Sequence, residues 1–148
     1  MNPYLNKLSI IISSLWVGGL WSMLMVTTIL FNKLPSSYIA GAIVNDMFAF
    51  MNLFGMASSS FLLIYGFRKE NLSFIKSITF WILILMLGLT LISYFGINPI
   101  LENFRDNSVS KEIIESVFVN RYSTWHGIAS TAFLIECFLG IFLVLKIR

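Results

Sequence analysis

Four stretches of the sequence are long and nearly free of charge: Leu8 to Phe31, Met47 to Phe67, Ser77 to Asn98 and Ser123 to Leu145. The first three contain no Asp, Glu, Lys or Arg, and the fourth contains only His126 and Glu136 as titratable polar residues. Crossing the hydrocarbon of a bilayer takes about 20 mostly apolar residues at about 1.5 Å each, and each run reaches that length. Polar connections at 32–46, 68–76 and 99–122 separate the runs, which is the spacing of a serpentine bundle. The expected fold is therefore all-α: a single transmembrane domain of four helices, at about 8–31, 36–67, 77–98 and 123–146.

Composition supports a chain that lives in lipid. Of its 148 residues, 57% are hydrophobic and 11% are charged, against about 25% charged in an average soluble domain. The mean hydropathy is +0.84. Ten Lys and Arg against seven Asp and Glu give a net charge of +3, but the cations are spread over the ends and loops. They form no basic stripe interleaved with exposed aromatics, so nucleic-acid binding is not expected. Cys137 is the only cysteine and can form no intrachain disulfide. The first run follows Lys7 as a signal peptide's core would, yet such cores span about 7–15 residues. A permanent helix is expected instead.

Positive charge sets the expected orientation. Arg68, Lys69 and Lys76 lie in the middle loop, Lys146 and Arg148 at the C-terminus, and Lys7 near the N-terminus. Placing all three segments in the cytoplasm gives an N-in/C-in bundle. Lys33 then lies outside, together with a third loop whose Arg105, Lys111 and Arg121 are outnumbered by Glu102, Asp106, Glu112 and Glu115.

Two connections carry structure of their own. Pro35-Ser36-Ser37 reads as a helix start, and Ala40, Val44, Met47, Phe48 and Met51 recur at helical spacing, so helix 2 should begin near Ser36. Asn98-Pro99 should end helix 3. Beyond it, Ile113, Ile114, Val117 and Phe118 make a narrow apolar stripe that can form a short interfacial helix in the loop between helices 3 and 4.

Lipid is as apolar as leucine, so helices in it associate through close packing of small residues and through side-chain hydrogen bonds. Ser14, Gly18 and Ser22 form a small-residue ridge on helix 1 and are expected to face inward. Gly41, Asn45, Phe48, Asn52, Gly55 and Ser59 share a stripe on helix 2, and Ala129, Ala132, Glu136 and Gly140 share one on helix 4. The two asparagines serve either as inter-helix glue or as functional polar groups.

A charge inside the membrane costs about 2.5 kcal/mol or more, so Glu136 at the middle of helix 4 calls for a reason. It is either protonated and hydrogen-bonded to a neighbouring helix, or part of a proton or ion path. Counting inward from the outer helix ends places Trp21, Ser22, Gly55, Met56, Gly88 and Thr90 at its level, with Ser22 and Thr90 as the expected polar neighbours. His126 is about one turn into helix 4, at about the depth of Asp46, so these two can meet as carboxylate and imidazole. Beside Tyr122 and Trp125, however, His126 also reads as an interfacial anchor.

One histidine cannot ligate haem twice, and no His, Cys or carboxylate cluster has zinc-like spacing. No catalytic residue, cofactor or metal ligand is assigned. The seven methionines read as space-filling residues rather than copper ligands.

Leu15-Trp16-Val17-Gly18-Gly19, then Leu30-Phe31, Leu34-Pro35, Ala40-Gly41, Ile43 and Phe48, then Tyr94 to Pro99, and finally Trp125-His126-Gly127 with Ser130 occur in a telling order. In that order and spacing the chain resembles the bacterial domain-of-unknown-function family 4149, relatives of transmembrane protein 205. The resemblance implies a four-helix protein of the inner membrane with His126 at a family-type polar position. It implies no activity, and Glu136 maps to no family motif. The leading expectation is a non-catalytic accessory or docking subunit that contacts lipid and other membrane subunits or copies of itself. The alternatives are a small transporter moving protons or a metal past Asn52, Glu136, His126 and Asp46, and a haem or quinone protein whose ligands come from a partner.

Overall fold

The computed structural model describes residues 3–35, 37–108 and 115–146. All regular structure among them is helical: α1 (Pro3–Lys33), α2 (Ser37–Glu70), α3 (Ile78–Leu91), α4 (Asn98–Ser108) and α5 (Glu115–Lys146). A 3₁₀ turn at Asn71–Lys76 joins α2 to α3, and a π-helical segment at Ile92–Ile97 joins α3 to α4. Four helical stretches are long and apolar enough to cross a membrane: Pro3–Lys33, Ile39–Lys76, Ile78–Asn103 and Gly127–Lys146. The protein is a multi-pass membrane protein with a four-helix bundle at its centre.

The closest packing runs from α1 to α2, α2 to α3, α3 to α5 and α5 back to α1, so the helices stand in a ring around one core. Trp16, Leu20 and Met23 of α1, Leu62 of α2, Leu83 and Met86 of α3, and Phe133, Cys137 and Leu143 of α5 fill it. Large apolar side chains such as Phe50, Ile64, Trp81 and Phe142 point outward. In water such a surface would aggregate; toward acyl chains it costs nothing.

Local chemistry explains the helix ends. Asn71 adopts a left-handed conformation (φ 52), which stops α2, and Asn tolerates that region better than most residues. The chain then folds back through the 3₁₀ turn. Phe74 seats its ring where Gly66 has no side chain, and any Cβ at Gly66 would overlap that ring. Phe67, Phe74 and Phe80 pack edge to face, with centroids 5.5 to 5.8 Å apart. The Ser77 hydroxyl accepts from the Phe80 N–H at 3.1 Å and caps α3.

Three expectations about boundaries are corrected. Asn98-Pro99 does not end the third helix. Pro99 has no N–H, and its ring would strike the carbonyl four residues back in an α-helix. The π segment widens the turn so that the Asn98 N–H bonds to the Ser93 carbonyl, five residues back, and the helix runs on as α4 to Ser108. The last helix begins at Glu115 rather than near Ser123, so Val117 and Phe118 belong to α5 and not to a separate interfacial helix. Ile113 and Ile114 lie outside the described residues. α1 and α2 each overrun their expected limits by a few residues, and Ala40 and Val44 are buried as their spacing indicated.

The fourth correction concerns the face of α1. Ser14, Gly18 and Ser22 are exposed, on the side opposite the core, and nothing lies within 4 Å of where a Gly18 Cβ would be. The buried face is Ser9, Ser13, Trp16, Val17, Leu20 and Met23. Ser22 can face lipid at little cost because its hydroxyl donates to its own helix, to the Gly19 carbonyl at 2.9 Å. Small residues occur in adjacent pairs, Ser13-Ser14 and Gly18-Gly19, so two faces offer close approach. The inner one is used by Ser13 and Gly19, where a Cβ on Gly19 would come within 2.8 Å of Met51 Cε.

Candidate functional site

The middle of the bundle brings one feature from each wall to a common place. α1 supplies Trp16, α2 supplies Gly55, the third helix supplies Thr90, and α5 supplies Glu136. Glu136 is 3% exposed and Thr90 1%. The Thr90 hydroxyl donates to Glu136 Oε1 at 3.1 Å and lies 2.6 Å from the Met86 carbonyl of its own helix. This contact is the inter-helix hydrogen bond that a buried carboxyl group requires in lipid.

Gly55 makes the convergence possible. A Cβ there would lie 3.0 Å from Trp16 Nε1 and 3.2 Å from Thr90 Cγ2, so only a residue without a side chain lets the indole and the threonine approach. Gly140 does the same one turn beyond Glu136, where a Cβ would come within 2.8 Å of Val17 Cγ2. Cys137, beside Glu136, is fully buried and free. Asn52 lies one turn from Gly55 and is 5% exposed.

The expected site residues therefore divide. Glu136 and Asn52 are buried in the core, with Gly55 and Gly140 as close-contact glycines, and Thr90 is the predicted polar neighbour of Glu136. Ser22, the other predicted neighbour, faces outward and is not near Glu136. Gly41 and Asn45 are only half buried, and Asp46 is exposed. The His126 side chain lies outside the described residues, so the expected Asp46 to His126 contact does too. Among the described residues, no three His, Cys, Asp or Glu side chains gather in metal-binding range.

Sequence reasoning missed Trp16, whose ring is 1% exposed at the centre of the bundle. Trp21, which helix depth puts at the level of Glu136, is only half buried and meets Phe138 edge on at 6.1 Å. The signal was present in Ser9, Ser13 and Trp16, which recur at helical spacing on the face that is buried. A second inter-helix bond lies near one end of the bundle, where the Tyr65 hydroxyl donates to Asn6 Oδ1 at 3.1 Å. Trp16 to Gly55 and Gly19 to Met51 continue that pairing in opposite chain directions, as antiparallel α1 and α2 require.

No curated protein and no solved structure matches the chain. The pattern of DUF4149, a domain of unknown function, matches residues 11–109. That segment holds Trp16, Asn52, Gly55 and Thr90, and Glu136 lies beyond it. Because the match covers well over half of the 148 residues, the chain belongs to the DUF4149 family.

Proposed function

We propose that the protein is a non-catalytic membrane subunit that docks against a transmembrane helix of another protein through the outer face of α1. The observation that carries this reading is the outward ridge of Ser14, Gly18 and Ser22, where an approaching backbone meets no side chain at Gly18. In lipid, small residues four apart on an exposed face allow close helix approach, which is what drives association there. The reading includes an inner-membrane location with both termini in the cytoplasm, as the distribution of Lys and Arg suggests. Purification from native membranes in mild detergent tests it. A second polypeptide should co-purify in fixed stoichiometry with the parent and be lost from Gly18→Leu, which should itself remain folded. A pure homo-oligomer, or a partner retained by Gly18→Leu, would contradict it.

A second reading rests on Glu136. An intramembrane carboxyl group enclosed by four helices and bonded to Thr90 suits a proton-linked transporter, with the buried Asn52 one turn from Gly55 on α2. Glu136→Gln discriminates, because it keeps the shape and removes the titratable proton. Loss of proton-coupled transport in vesicles, with assembly intact, would favour this second reading.

A further inference from the structure

The end of the bundle formed by the start of α1, the end of α2, the start of α3 and the end of α5 is predominantly cationic. Lys7, Arg68, Lys69, Lys76 and Lys146 lie there, with Glu70 the only acidic residue among those described. Between α2, the 3₁₀ turn, α3 and α5, this end opens into a small cleft of about 60 Å³. Its inner wall is apolar: Leu62, Phe74 and Leu83 line it, each 4% exposed or less. Its mouth is cationic, with Lys69 from α2 and Lys146 from α5.

Glu70 also lines the cavity, so the three charged side chains sum to one positive charge. Ser77 and Thr79 add the first turn of α3, whose aligned peptide dipoles are positive at that end. A space of that size beneath a cationic mouth fits a phosphate group and leaves no room for a hydrocarbon chain. A basic pocket between transmembrane helices at the headgroup level is where anionic phospholipids bind.

We propose that this cavity binds a phosphate-bearing anion. The phosphate sits between Lys69 and Lys146, and any attached acyl chains stay in the surrounding bilayer. The phosphate chemistry has two sources, an anionic phospholipid headgroup or a soluble phosphate.

The test is a titration of the purified protein in mild detergent, following its melting temperature with added phosphatidylglycerol, phosphatidylcholine or inorganic phosphate. Phosphatidylglycerol should stabilise the parent at lower concentration than the zwitterionic phosphatidylcholine. The double variant Lys69→Gln/Lys146→Gln should need about 30-fold more, since each lysine near a headgroup contributes about fivefold. Arg68→Gln/Lys76→Gln removes the same charge outside the cavity and should titrate nearly like the parent. If inorganic phosphate alone reproduces the lysine-dependent shift, the site holds and its ligand is soluble. The proposal fails if phosphatidylcholine acts as well as phosphatidylglycerol, if the two double variants behave alike, or if neither anion shifts the parent.

Discussion

Gly140 and Val17 hold α5 against α1: a Cβ on Gly140 would lie 2.8 Å from Val17 Cγ2 and 3.1 Å from Cγ1. Val17 is 7% exposed and branched at Cβ, so it has little rotamer freedom with which to yield. Gly140→Ala should therefore destabilise the bundle by about 1–3 kcal/mol, the usual cost of overpacking a filled core. Thermal unfolding in detergent reads this directly, and a melting temperature equal to the parent's would show that α5 does not rest on α1 there.

Gly18 should behave in the opposite way. Nothing surrounds it, and alanine is the better helix former by about 0.5–1 kcal/mol, so Gly18→Ala should leave stability unchanged or raise it slightly. The same unfolding measurement checks it. A clear loss of stability in the isolated chain would place the Ser14, Gly18 and Ser22 face inside the bundle.

Thr90→Val keeps the shape of threonine and removes its bond to Glu136. Inter-helix hydrogen bonds in membranes contribute about 0.6 kcal/mol on average and up to about 1.7, so the expected loss lies in that range. Combined with Glu136→Leu, it should cost less than the two single losses added together, because both remove one interaction. Strict additivity in the double-mutant cycle would mean that the 3.1 Å contact contributes no energy.

Orientation is checked by labelling. Cysteines placed at Lys69 and at Lys33 should differ toward an impermeant thiol reagent in intact cells, with only Lys33→Cys reacting. Equal labelling, or labelling of Lys69→Cys alone, would reverse the assignment.

The number of membrane-crossing stretches was legible because uncharged length is a property of the sequence alone, and lipid permits few other folds for such runs. The buried stripes of α2 and α5 were legible too, since Asn52, Ser59, Glu136 and Gly140 leave one face that is plainly unsuited to lipid. α1 was not, because its serines bond their own carbonyls and so carry no strong preference between core and lipid. Pro99 misled for a related reason: a proline stops an α-helix, but a π segment absorbs its ring and frees the chain to continue. The Thr90 partner of Glu136 followed from counting depth, whereas the approach of Trp16 to Gly55 depends on the crossing of α1 and α2, which no single helix encodes. The cavity at Lys69 and Lys146 joins residues far apart in the chain through the fold-back at Asn71.

The most direct measurement of the docking claim is crosslinking in native membranes with single cysteines in a Cys137→Ala background. Cysteines at Ser14, Gly18 and Ser22 should join to a different polypeptide through a short bifunctional thiol reagent. Cysteines at Phe50 and Phe142, which are 69% and 58% exposed on other helices, should not. Docking through α1 requires crosslinking restricted to the three α1 positions; equal yield at all five positions, or adducts only between copies of this chain, would rule it out.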